Sequence, residues 1–228
     1  MKTKWGALMT DGRGKIGGQV ASKNRGGSYM RNKVTPVNPS STQQTVVRNR
    51  LATISQAWSG LTEAQRSNWN GAVSDYSKTD IFGDIKNPSG FNLFQRLCNN
   101  ILTMGGTIAT TVPVVDTLDA YSDLVLTYTS GTPALSLAFT LAAGVDNGVK
   151  IFATAPQRAG VSFVKSEYRL IEAAAEDLVS PKNLLSSYTA VFGSVGSVGT
   201  KIFVKLVPCG PTSGVEGTAV STSTVSAT

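Results

Sequence analysis

The sequence predicts an α+β chain in three successive parts: an extended N-terminal arm, a small α-helical segment, and an antiparallel β-sandwich. Hydrophobic periodicity is absent before Pro39, follows a helical spacing from Ser40 to about Met104, and alternates after Gly105-Gly106. Helix-capping residues and proline or glycine pairs fall at the seams between these regimes. The parts are therefore residues 1–39, 40–104 and 105–228. At 228 residues the chain is long enough to bury a full core.

The arm is basic and rich in glycine. Residues 1–50 hold ten Lys or Arg against the single acid Asp11, a local charge of +9 that leaves −2 for the remainder of a chain at +7. Such a segment has too few apolar residues to form a core, so it is either disordered or laid against another surface. The expectation is an extended path, with strand pairing onto a neighbour around Ser28 to Val34. Glycines allow close backbone approach along it, and Pro36 and Pro39 keep the residues before them extended. Gly12-Arg13-Gly14-Lys15 lacks the spacing and the preceding hydrophobic strand of a phosphate-binding loop.

Helical spacing begins near Ser41, where Ser40-Ser41-Thr42-Gln43-Gln44 offers Ser or Thr three residues before Gln, the capping-box pattern. Val47, Leu51, Ile54 and Trp58 then define one apolar face, and Ser59-Gly60 stops the helix. Thr62 and Gln65 repeat the capping box, with Glu63 favourably placed at the positive end of the helix dipole. Trp69, Ala72, Val73 and Tyr76 give the second helix its apolar side. A tight turn between the two predicts a helical hairpin packed through Trp58 and Trp69. Beyond Asn87-Pro88-Ser89-Gly90, residues Phe91, Phe94, Leu97, Cys98 and Ile101 place a third helix, with Cys98 as a small buried hydrophobe.

Alternation then takes over. Leu124, Leu126 and Tyr128 predict one half-buried strand, and Leu135, Leu137, Phe139 and Leu141 predict the next. Asp146-Asn147-Gly148 is a turn before the run Val149 to Thr154. Ser162 to Leu170 alternates again, whereas Glu172 to Asp177 departs from the pattern. Ser180-Pro181 marks a helix start ahead of Leu184, Leu185, Tyr188 and Phe192. Gly199 to Val207 is the clearest strand, and Val215 to Val225 supplies a last one. Many short strands separated by turns argue for a sandwich.

Chemistry is nearly absent from the composition. There is no histidine, which removes the commonest general base and metal ligand, and Cys98 and Cys209 alone make neither a zinc site nor a disulfide framework. Asp116, Asp119, Asp123, Glu172, Glu176 and Asp177 are carboxylates of a type used in glycoside hydrolysis, but their spacing selects no pair. Gly193 to Gly199 is glycine-rich ahead of a strand, the wrong context for a dinucleotide fingerprint. The expectation is a non-enzyme without catalytic residues, cofactor or metal. No run reaches the length of a membrane span and no signal-peptide core follows Met1, which predicts a soluble chain not exported by the general pathway.

Two resemblances add to this reading. Lys201-Ile202-Phe203-Val204-Lys205-Leu206-Val207-Pro208, followed by Thr212-Ser213-Gly214 and a small-residue strand, resembles the last two strands of a fibronectin type III-like module. The sandwich is accordingly expected to be immunoglobulin- or fibronectin III-like. Asn24-Arg25-Gly26-Gly27-Ser28-Tyr29-Met30-Arg31, then Pro36 to Gln44, then Ala57 to Trp69 resemble structural proteins encoded by tailed phages and prophages. That resemblance covers about the first hundred residues.

It implies a structural subunit of a bacteriophage virion, a head, neck or tail component, made in the host cytoplasm and assembled through its arm. The expected partners are copies of itself, as a homo-oligomer, and other virion proteins, with packaged DNA within reach of the basic arm. Arg13, Lys15, Lys23, Arg25, Gly26, Gly27, Tyr29, Arg31 and Lys33 are the candidate assembly residues. A nucleic-acid-binding protein using the same arm, with Trp5 and Tyr29 to stack on bases, is one alternative. A carbohydrate- or receptor-binding adhesion module is the other.

Overall fold

The computed structural model describes residues 1–4, 6, 12–114, 118, 120–141, 148–176 and 178–227. Among them the chain has an α+β fold with a β-sandwich-like part. Contacts divide it into two units, one of Met1–Asn49 with Ser77–Asn87, the other of Arg50–Tyr76 with Pro88–Thr228. Trp5, Asp11, Asp116, Asp119, Asp177 and the Asp146-Asn147 part of the predicted turn lie outside the described residues.

The first unit corrects the extended arm. Strands β1 (Gly14–Ile16), β2 (Gln19–Asn24) and β3 (Gly27–Asn32) form an antiparallel meander in sequence order. β3 is the strand expected near Ser28, but it pairs with β2 of its own chain. The cause is turn chemistry. Gly17-Gly18 and Arg25-Gly26 each close a two-residue loop, and Gly17 sits at φ +57°, a conformation open to glycine. Val20, Tyr29 and Met30 are scattered among polar and small residues on both faces, so the strands carry no hydrophobic alternation to read. A hairpin of β4 (Lys78–Thr79) and β5 (Ile85–Lys86) completes this unit, and helix α1 (Thr42–Gly60) starts in it.

The second unit begins within α1. Helix α2 (Glu63–Gly71) has the expected capping box, with Thr62 and Gln65 bonded in both directions, and a 3-10 turn Ala72–Tyr76 follows. Helix α3 (Gly90–Thr103) is capped by Ser89, whose Oγ accepts from the Asn92 amide at 3.2 Å. It buries Leu93, Phe94, Leu97, Cys98 and Ile101. Leu93, Phe94, Leu97 and Cys98 join Ile54, Leu61, Trp69 and Tyr76 in a helical core.

The rest of this unit is the sandwich-like part. Strand β6 (Tyr121–Thr129) pairs with β7 (Ala134–Leu141), which also pairs with β11 (Lys182–Asn183). Strands β8 (Gly148–Ala153), β10 (Arg169–Ala174), β12 (Thr200–Cys209) and β13 (Val220–Val225) form the second sheet in the order β10-β8-β12-β13, and β9 (Gln157–Arg158) also pairs with β12. One core joins them, with Leu126, Tyr128, Leu135 and Leu137 facing Val149, Ile151, Ile202, Val204 and Leu206. Each of these side chains contributes about 1.5–3 kcal/mol of apolar burial.

Three expected boundaries move. The alternating stretch Ser162 to Leu170 is mostly loop, and the strand runs instead from Arg169 to Ala174, into the start of the segment that departs from alternation. A register shift between Leu170 and Glu172 breaks its alternation. The helix near Pro181 begins later, as α4 (Leu185–Phe192), because Lys182 and Asn183 pair with β7 first. The Asn183 side chain then accepts from the Leu185 amide at 2.9 Å. The last strand starts at Val220 rather than Val215.

Candidate functional site

The meander gathers the candidate assembly residues onto a small basic sheet. Lys15 lies opposite Val20, and Val20 opposite Arg31, so the two cations flank one valine on a single face. Tyr29, half-buried opposite Ser22, shares that face. Lys23 opposes Ser28 on the other face. Arg25 and Gly26 form the loop tip, where the Gly26 amide donates to Asn24 Oδ1 at 2.9 Å and Gly27 at φ +105° completes the turn. Arg13 precedes β1, and Lys33 follows β3 with its amide bonded to the Gly18 carbonyl at 2.8 Å. All six Lys and Arg side chains in this set are exposed. The structure thus brings them onto one sheet rather than spacing them along a thread.

A fourth edge is added by Met1–Thr3. The Met1 ammonium donates to the Met30 carbonyl at 3.0 Å, Met30 returns a bond at 2.9 Å, and the Thr3 amide reaches Ser28 at 2.9 Å. The loop of the β4-β5 hairpin holds this edge by charge. Asp80 meets Lys2 at 3.4 Å and Asp84 meets Lys4 at 3.0 Å, while Lys4 lies 5.1 Å from the Phe82 ring centre. Asp80 also accepts the amides of Phe82 at 2.8 Å and Asp84 at 3.2 Å. Burial acts to raise the Asp80 pKa, but these amides and the Lys2 ammonium outweigh it and hold the carboxyl below its ordinary value.

A carboxyl lowered in the folded state lends stability that is complete above its unfolded pKa, about 4, and is lost as pH falls through the folded value. Amide protection at Thr3 and Phe82, followed by NMR, should therefore persist at neutral pH and fall only below about pH 4. Asp80→Asn should remove that step. Loss of protection already near pH 6 would contradict the ion-paired edge.

Helix α1 departs from its expected role. Of its predicted apolar face, Ile54 is buried and Trp58 half-buried, yet Val47 and Leu51 are 62% and 49% exposed. Val34, Val37 and Val46 are exposed as well. Trp69, by contrast, is fully buried, edge-on to Phe94 with ring centres 5.1 Å apart, and its Nε1 donates to the Thr110 carbonyl at 3.3 Å. Trp58 packs on Phe94 at 5.3 Å and on Phe91 at 5.6 Å. The expected two-helix contact is therefore mediated by α3, whose Phe94 touches both indoles.

The remaining chemistry-bearing side chains are built into the framework. Cys98 is buried, and burial pushes its thiol up to about 11; burial likewise raises Cys209. Both are free thiols. Glu172 pairs with Lys182 at 2.6 Å and accepts from Ser187 at 2.6 Å. Burial works to raise its pKa, but those partners lower it on balance. Asp123 is an exposed bulge residue at φ +53°, and Glu176 is exposed. Among the described residues no group of three or more His, Cys, Asp or Glu could hold a metal, and no helix is long and apolar enough to cross a membrane.

One cluster was invisible in the sequence. Lys150 of β8 is 5% exposed, donates to Asn100 Oδ1 at 3.0 Å, and pairs with Glu216. The Asn100 amide in turn donates to the Gly214 carbonyl at 2.8 Å. Alternation placed a lysine at a position normally solvated, and its partners are far along the chain. No family model, curated protein or solved structure matches this chain.

Proposed function

We propose that this chain is a structural subunit of a bacteriophage virion, a head, neck or tail component, assembling in many copies and displaying its sandwich. One observation carries the reading: residues 33–51 present Val34, Val37, Val46, Val47 and Leu51 to solvent in a single stretch. Isolated exposed apolar residues are ordinary, but five within nineteen residues mark a segment made to be covered. Val47 and Leu51 lie one helical turn apart and point the same way.

Charge favours a second copy as the cover. The first unit holds eleven Lys or Arg against Asp11, Asp80 and Asp84, while the second holds ten against eleven acids. A neighbour's body thus offers carboxylates to a basic sheet. The strand order β10-β8-β12-β13, set against β11-β7-β6, supports the fibronectin type III-like reading of the displayed part. The phage resemblance at Asn24 to Arg31 and Ala57 to Trp69 supports the virion reading, with the particle as its location and other virion proteins as further partners.

Val47→Asp with Leu51→Asp should leave the melting temperature within about 2 °C of the parent, since neither side chain is buried, yet abolish assembly in light scattering. Particles carrying the parent gene should contain the chain by mass spectrometry, and those carrying the double variant should lack it. A chain missing from particles and monomeric at every concentration would overturn the proposal. Tight duplex-DNA binding by the isolated chain, falling with salt at about 0.9 log units per phosphate contact, would favour the nucleic-acid alternative.

A further inference from the structure

The sheet β10-β8-β12-β13 has an outer face that the core does not use. Along β12, Ile202, Val204 and Leu206 enter the core, so Lys201, Phe203 and Lys205 face outward. Lys205 lies opposite Phe152 on one side and Ser221 on the other, and Phe203 lies opposite Ser223. The loop ahead of β10 crosses this face, tied by the Lys201 ammonium to the Val161 carbonyl at 3.0 Å. Between that loop and β13 runs a groove of about 360 Å³ lined by Phe163, Lys165, Tyr168, Lys205 and the hydroxyl residues Ser162, Ser221, Thr222 and Ser223.

Three features of the groove point to a ligand. The Lys205 ammonium stands 4.9 Å from the centre of the Phe152 ring and 4.6 Å from that of Tyr168, fixed between two aromatic walls. Neither Lys205 nor Lys165 has a carboxylate partner among the described residues. Phe163 is 75% exposed at the rim, offering a flat apolar surface to water.

We propose that this groove binds an acidic saccharide, with a sugar ring stacked on Phe163, its anionic group at Lys205, and its hydroxyls bonded to Ser162, Ser221 and Ser223. The volume suits about one or two sugar rings. Rows of hydroxyls beside one aromatic platform match the alternating apolar faces and polar edges of a pyranose. A nucleic-acid strand fits less well, because the unit carrying the groove has ten basic residues against eleven acids and so lacks the positive field a polyanion needs. A neutral sugar would leave both ammonium groups without a counter-charge. The acid can be a carboxylate or a phosphate, since a lysine ammonium accepts either. This inference is independent of the assembly surface and of the virion reading.

The test is titration of the full chain with tetragalacturonate, its methyl ester, glucose 1-phosphate and an oligothymidylate, followed by amide chemical shifts. Shifts at Lys205 and Phe163 are expected with tetragalacturonate at millimolar or lower concentration and not with the ester. Phe163→Ala and Lys205→Gln should each weaken binding at least about tenfold at an unchanged melting temperature. Phe163 is exposed, so its variant keeps the test valid even if the lysine variant unfolds. Stronger binding of glucose 1-phosphate supports the site and assigns phosphate as its acid. Absence of binding to both acidic sugars at about 10 mM, equal binding of the ester, indifference to Phe163→Ala, or a preference for the oligonucleotide would each overturn the proposal.

Discussion

Trp69→Ala is expected to cost about 3–5 kcal/mol, the range for removing a fully enclosed aromatic, and to lower the urea midpoint with an unchanged slope. The indole is fully buried, meets Phe94 edge to face, and its N–H satisfies the Thr110 carbonyl. Truncation would leave a cavity bounded by α2 and α3 and an unpaired acceptor. Trp69→Phe, which fills most of the volume but lacks the N–H, should fall lower in cost, near 1–3 kcal/mol by the penalty for an unmet buried polar group. Trp58→Ala should cost about half as much as Trp69→Ala, because that ring is only half-buried. Equal costs at the two tryptophans would show that the helical core is not centred as described.

The second large effect is expected at the buried charge of β8. Glu216→Ala would leave the Lys150 ammonium at 5% exposure with Asn100 as its remaining acceptor. Breaking a buried pair from one side costs about 3–5 kcal/mol, and the lower end applies here because the Glu216 side chain retains 46% exposure. Lys150→Met should be milder, about 1 kcal/mol, since an apolar chain of similar length fills the space and Glu216 turns to water. Combining Lys150→Met with Glu216→Ala should therefore be less harmful than Glu216→Ala alone. Chemical denaturation of the three variants checks this order, and a double variant that is the least stable of them would refute it.

How legible the chain was depends on which interaction decides each region. The capping boxes at Ser41 and Thr62, the face Phe94, Leu97, Cys98 and Ile101, and the alternation of β7 are local patterns, and the corresponding elements form where those patterns lie. The meander was missed because its ladder is closed by two glycine-containing loops, while its faces mix Lys, Ser, Gln and Val without a period. Val47 and Leu51 carry a correct helical period but no cover among the described residues, so a pattern that ordinarily reads as core reads as surface. Strand β10 was displaced by a bulge, which changes the parity on which alternation depends. Lys150, the Asp80–Lys2 pair and the groove around Lys205 depend on partners dozens of residues away, and no window along the chain contains them.

The meander has a consequence for time scale as well as for shape. Ala21 is the only hydrophobic residue buried below a tenth of its surface among the described residues of the first unit, whereas β8 and β12 are lined with them. Backbone amides of β2 and β3 should then exchange with deuterium through local opening, long before those of β8 and β12, which wait for global unfolding. A sheet that opens at little cost can trade its own ladder for one offered by a neighbour and close again around it. Its free energy of ordering would be supplied largely at the moment of association. Docking would then convert a fast-exchanging segment into a slow one, leaving the sandwich as the constant part of the molecule from synthesis to final state.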